Sequence, residues 1–182
     1  PLMILGKRGV HADTGKVTKD WLVERAGGPF NHPTEMMPHP NGDIYVTDGY
    51  RNCRVHRFSA DGKLKASWGA PGKEPGQLQL PHSIAMTAVG KMYLCDRGNR
   101  RIKVLSPEFD ILEIWTGMGG PNDISLGKDG NFYIAEQEHD GKPAYVCVRD
   151  GSGKVITRLE TPHVHGVGVD SCGDIYSGLT VD

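Results

Sequence analysis

The sequence has almost no net charge, few aromatic residues and no long apolar run. Its 21 basic residues nearly cancel 22 acidic ones, leaving −1. A chain so balanced offers no basic field to attract nucleic acid, which is excluded as an expected partner. No apolar stretch approaches the ~20 residues needed to span a bilayer, so no membrane association is expected. No signal peptide is read, so the chain is expected to be soluble, with its compartment unknown. The four cysteines, Cys53, Cys95, Cys147 and Cys172, never form CxxC, which argues against a zinc knuckle. Cys95 and Cys147 lie in apolar, strand-like runs and are read as buried free thiols. Helical periodicity is also missing, apart from a short turn predicted near Lys19 to Ala26.

Glycine and proline, at 25 and 12 residues, are abundant instead. That balance suits many short strands joined by tight turns. A repeat organises them. Gly42, Gly90, Gly130 and Gly173 each precede a tyrosine by three residues: Tyr45, Tyr93, Tyr133 and Tyr176. Successive tyrosines are 48, 40 and 43 residues apart, a period suited to four-stranded propeller blades. Ile44 and Val46 alternate with Tyr45 and Thr47, as in a half-buried strand. Arg54–Phe58 and Arg101–Leu105 read as the next strands, with Asp61-Gly62 as a hairpin turn. Ile111 to Gly117 and Lys154 to Leu159 read as outer strands.

The segments VTDGYRNCRVHRFSADGKLKASWG and LCDRGNRRIKVLS resemble NHL repeats, over residues 30 to 178. The expected fold is an all-β, NHL-type β-propeller forming a single domain over 1–182. Three full four-stranded blades are placed at 30–69, 78–117 and 119–160, with a partial blade at 162–178. Residues 1–6 (LMILG after Pro1) are read as the outer strand of a split or incomplete fourth blade. The arrangement suits a four-bladed ring or part of a six-bladed one. Unpaired blade edges also invite self-association by swapping.

Counting back 11 residues from each repeat tyrosine reaches Thr34, His82, Asn122 and His165. Equivalent positions around one ring face a common axis. His82 and His165 there suit a shared metal, or else hydrogen bonds within the channel. His163 supplies a third ligand if the strand has not begun there. His11, His32, His39, His56 and His139 are read as surface residues. Asp48, Asp96, Asn52 and Asn99 are read as turn braces. Tyr50 and Arg97 break the repeat, since the third blade offers Glu136-Gln137 in the same connection. That makes them the better functional candidates.

FNHPTE, TDGYRNCRVHRFSADGKLKASWG, GQLQLPHSIA, CDRGNRRIKV and the PHVHG…GDIY region are similar to peptidyl-α-hydroxyglycine α-amidating lyase and its bacterial relatives. The resemblance implies a six-bladed propeller that cleaves a C-terminal α-hydroxyglycine to a peptide amide and glyoxylate. It implies zinc, with His82 and His165 as ligands and a further histidine in a blade preceding Leu2. It places the catalytic tyrosine on Tyr50 and a functional arginine on Arg97. A second functional arginine would lie upstream. The family's acidic calcium ligand falls on Gly166, so calcium gains little support.

On this reading zinc is a Lewis acid on the substrate hydroxyl, Tyr50 takes its proton, and Arg97 neutralises a carboxylate or oxyanion. The expected function is a metal-dependent lyase-like propeller acting on a small molecule or a peptide C-terminus. The alternatives are a non-catalytic module binding a protein or ligand, and a calcium-dependent hydrolase. The hydrolase wants several axial carboxylates, and the axial positions hold Thr, His, Asn and His.

Overall fold

The computed structural model describes residues 3–180. Among the described residues, fourteen strands run in chain order. The first sheet holds β1 (Pro33–Pro38), β2 (Ile44–Asp48), β3 (Arg54–Phe58) and β4 (Leu64–Trp68). The second holds β5 (Pro81–Met86), β6 (Met92–Asp96), β7 (Arg101–Leu105) and β8 (Ile111–Trp115). The third holds β9 (Pro121–Leu126), β10 (Phe132–Glu136), β11 (Tyr145–Arg149) and β12 (Val155–Glu160). β13 (Val164–Val169) and β14 (Ile175–Leu179) pair as a two-stranded sheet. Every sheet is an antiparallel meander in sequence order, the topology of a propeller blade.

The innermost strands β1, β5, β9 and β13 lie side by side in succession, which curves the sheets around a shared axis. Apolar faces fill the gaps between sheets. Tyr45, Val55, Leu78, Ile84 and Leu94 pack between the first and second blades. Tyr93, Ile102, Trp115, Phe132 and Ile134 fill the next gap, and Tyr133, Val146, Val164 and Val167 the third. Each such side chain, when fully buried, stabilises the fold by roughly 1.5–3 kcal/mol. The repeat tyrosines explain the period: Tyr45, Tyr93 and Tyr133 are buried between blades. Tyr176 is 59% exposed because no described residue packs over that face.

The turns follow the glycines. Gly62 sits at φ +81 and its N–H donates to Ser59 O at 2.8 Å, closing the β3–β4 hairpin in a conformation that other residues resist. Cys95 and Cys147 are fully buried free thiols, and burial pushes the Cys147 thiol up to about 11.

Three expectations need correction. Met3–Gly6 forms no strand; Met3 and Leu5 lie against the Gly62 turn, and residues 1 and 2 fall outside the described residues. Lys19 to Ala26 holds no helical turn. A bridge between Val17 and Val23 instead closes a small hairpin whose tip carries Trp21. His56 is not a surface residue but is fully buried on β3. Its Nδ1 meets Ser67 Oγ at 2.8 Å and its Nε2 faces Asp48 Oδ2 at 3.4 Å, so hydrogen bonds offset the cost of burying the ring.

Candidate functional site

Two connections and two inner strands deliver the site. The first follows β2, where Asp48 is buried and accepts Asn31 N–H and the Asn52 side-chain amide, at 2.9 and 2.7 Å. Asp48 and Asn52 therefore brace the turn, as expected. The next residue, Gly49, lies directly on the start of β5: a Cβ there would stand 2.0 Å from Pro81 O. This close approach sets Tyr50 over His82.

The second connection follows β6. Asp96 accepts Gln79 N–H, the Asn99 amide and Arg101 Nε–H, which fixes a 3₁₀ turn at Arg97–Asn99. Arg97 projects from that turn. Its Nε–H donates to Gln137 Oε1 at 3.2 Å and its Nη1–H to Tyr50 Oη at 3.3 Å.

β5 and β13 contribute His82 and His165. Tyr50 Oη lies 3.0 Å from His82 Nε2 and 3.4 Å from His165 Nε2. The two imidazoles meet edge to face with ring centroids 4.9 Å apart. His82 Nδ1 faces Asn122 O at 2.5 Å. A carbonyl only accepts, so Nδ1 carries the proton and Nε2 presents a lone pair toward Tyr50. Asn122 is held by its own amide, which donates to Val164 O, while its buried Oδ1 has no partner.

Burial, then the Arg97 guanidinium, pulls the His82 pKa down to about 4; the same causes lower His165. Both rings are therefore neutral near pH 7, the form that binds metals. All four named site residues thus converge, with Tyr50 Oη at the centre.

The other axial positions have different roles. Thr34 Oγ1 donates within the β1–β2–β5 junction, to Pro81 O at 3.0 Å, and Asn122 orients His82. His163 precedes β13, but its Nδ1 is paired with Glu138 at 2.7 Å. A cleft of about 360 Å³, lined by Trp21, Tyr50, Arg97, Asn122, His163 and His165, opens over the cluster. A smaller cavity of about 190 Å³ on the axis is lined by His82, His165, Glu35 and Asp123. Glu35 and Asp123 are carboxylates that the axial count did not include.

The donors fit a divalent metal in type and orientation: two neutral imidazoles, one braced through its far nitrogen as metal-binding histidines usually are. They give two ligands. Among the described residues no group of three His, Cys, Asp or Glu side chains is placed to hold a metal.

Trp21 escaped sequence reasoning. Its ring stands edge-on to Tyr50, with centroids 5.3 Å apart. It belongs to the stretch before the repeats, so no periodic position marks it. Gln137, noted only as a repeat-breaking neighbour, proves to hold Arg97.

No protein-family model matches the chain. Human NHL repeat-containing protein 3 is 31% identical over 114 residues, covering 59% of this chain and 33% of that protein. Mouse peptidyl-glycine α-amidating monooxygenase is 33% identical over 171 residues, covering 82% of this chain and 17% of its own length. The probable peptidyl-α-hydroxyglycine α-amidating lyase of Caenorhabditis elegans is 31% identical over 113 residues, covering 60% and 32%. The chain thus spans a third or less of these relatives. Among solved structures, the WD40 β-propeller domain of Doa1 superposes with a TM-score of 0.66 at 14% identity, over 81% of this chain and 47% of that one. The chain folds as a β-propeller of the NHL/WD40 type and is similar in sequence, over part of its length, to NHL repeat-containing proteins and to peptidyl-α-hydroxyglycine α-amidating lyases.

Proposed function

We propose that the cluster around Tyr50 is a lyase site that cleaves a C-terminal α-hydroxyglycine into an amide and glyoxylate. The observation that carries this reading is the meeting of His82, His165 and Arg97 on one phenolic oxygen, at 3.0, 3.4 and 3.3 Å. Similarity to amidating lyases supports the choice of substrate.

Each group has a task suited to its chemistry. Arg97 uses Nε and Nη1 within the protein, which leaves Nη2 without a protein partner among the described residues. Nη2 pairs with the substrate carboxylate and fixes the reacting carbon over Tyr50. The carbon–nitrogen bond then breaks as the hydroxyl becomes the aldehyde of glyoxylate. Tyr50 Oη gives its own proton to the departing nitrogen and takes the hydroxyl proton in exchange, so the enzyme ends as it began. His82 and His165 would hold a zinc ion, which when bound would supply Lewis-acid polarisation of the substrate oxygen.

The test is to supply the purified chain with zinc and an N-acyl α-hydroxyglycine and to quantify both products. Amide and glyoxylate formed in equal amounts, above the rate without protein, support the reading. Absence of both overturns it and leaves a propeller that binds without turning over.

A further inference from the structure

The geometry points to Trp21 as the residue that selects the substrate, by stacking against an aromatic or large apolar side chain immediately before the reacting end. This inference rests on the proposed lyase reading.

Trp21 is presented rather than packed away. It is 44% exposed, whereas Trp68 stacks on Phe109 and Trp115 is buried. Its backbone sits at φ +60, a region costly for any residue with a side chain and frequent at ligand clamps. Three restraints hold it there. Trp21 N–H donates to Thr18 O at 3.1 Å, Val17 bridges Val23 at the hairpin base, and Gln79 Nε2–H donates to Asp20 O at 2.7 Å. The hairpin tip that carries the half-exposed indole is therefore held in place through its backbone.

Its position gives the restraint a use. A second, larger trough of about 650 Å³ runs beside the cleft. Trp21 and Arg97 line both, with Gln137 and Glu138. A substrate whose carboxylate sits on Arg97 and whose carbinol reaches Tyr50 must send the rest of its chain past Trp21 into the trough. The side chain next to the reacting residue is the first to meet the indole. A flat aromatic there gains ring contact and displaces water from exposed indole. The trough walls carry Lys19, Lys73, Arg97, Arg100 and Arg101 against Asp20 and Glu138. Asp140 pairs with Arg100, and Asp96 with Arg101. With those partners counted, and with Arg97 taken by the substrate carboxylate, the trough walls are close to charge-balanced, so flat apolar contact with the indole sets the preference.

The experiment uses the zinc-supplied full chain and three probes lacking the reactive hydroxyl: N-acetyl-Phe-Gly, N-acetyl-Gly-Gly and N-acetyl-Lys-Gly. Affinities are read by calorimetry on wild type, Trp21→Ala and Trp21→Phe. The expected order is Phe over Gly by about tenfold, with the Lys probe, which offers no flat ring, below Phe. Trp21→Ala brings the Phe-to-Gly ratio to near one, and Trp21→Phe restores most of it. Equal affinities for the Phe and Gly probes in wild type, or an unchanged ratio in Trp21→Ala, overturn the inference. Glyoxylate release from the matching α-hydroxyglycine compounds separates the two claims. Turnover without the Phe preference sinks only the role of Trp21. The preference without turnover sinks the lyase reading and leaves Trp21 as a binding platform.

Discussion

Tyr50 Oη lies 3.0 Å from His82 Nε2, across the junction of two blades, while Asn122 of a third blade holds the other nitrogen of the same ring. Three successive repeats therefore fix one hydrogen-bonded line, and disturbing any of the junctions should reach the chemistry.

The Gly49 junction is the most direct case. A methyl group at Gly49 would collide with the backbone carbonyl of Pro81, which no side-chain rotation relieves. Gly49→Ala should destabilise the protein by about 1–3 kcal/mol and displace β5 under Tyr50. Denaturant unfolding, read with glyoxylate release, checks both effects. A stable Gly49→Ala protein with unchanged activity would show that this contact does not set the site.

Metal binding should be visible without any assay of turnover. A ligand that binds only the folded state stabilises it by about 2.7 kcal/mol at a hundredfold excess over its Kd. For a chain of this size that is a rise in Tm of roughly 5–10 °C. Zinc titration should produce such a rise in wild type and none in His82→Ala/His165→Ala. An equal rise in both proteins would place the zinc elsewhere.

Lys103, whose Nζ lies 3.7 Å from the Asp96 carboxylate behind the Arg97 turn, gives the protein a pH-dependent stability. Its side chain is fully buried, its Nζ donates to Pro75 O and Gln77 O, and burial pulls its pKa from 10.5 to about 8. Between those values the unfolded chain binds more protons than the folded one, so stability rises with pH across that window. The rise amounts to about 3 kcal/mol at most. Lys103→Met should lack this component, so the stability difference between the two proteins should shift by that amount between pH 8 and pH 10.5. A constant difference would mean that Lys103 stays charged at its ordinary pKa.

The sequence and the structure agree where the repeat speaks. The glycine–tyrosine spacing located the second strand of every blade, and in the three full blades the reason is physical: Tyr45, Tyr93 and Tyr133 are buried between blades. The same spacing brought His82 and His165 to one axis, and their convergence on Tyr50 follows from it. His56 was misplaced because alternation along β3 does not reveal that Asp48 and Ser67 satisfy a buried ring. Trp21 and the hairpin beneath it lie in a non-repeating stretch, where no second copy supplies a pattern. The strand expected at 1–6 came from completing a split fourth blade with an apolar N-terminal segment. Met3 and Leu5 are apolar because they cover the Gly62 turn, and that role needs no strand pairing.

The central claim is that Tyr50 moves the proton in a lyase reaction, and one variant tests it most directly. Tyr50→Phe keeps the ring against Trp21 and His82 and removes only the oxygen on which His82, His165 and Arg97 converge. The measurement is kcat/KM for glyoxylate release from an N-acyl α-hydroxyglycine, wild type against variant, with the melting temperature as a control. The account predicts a loss of about 10²–10⁴-fold at a nearly unchanged Tm. A variant that retains wild-type kcat/KM to within a few-fold would contradict it.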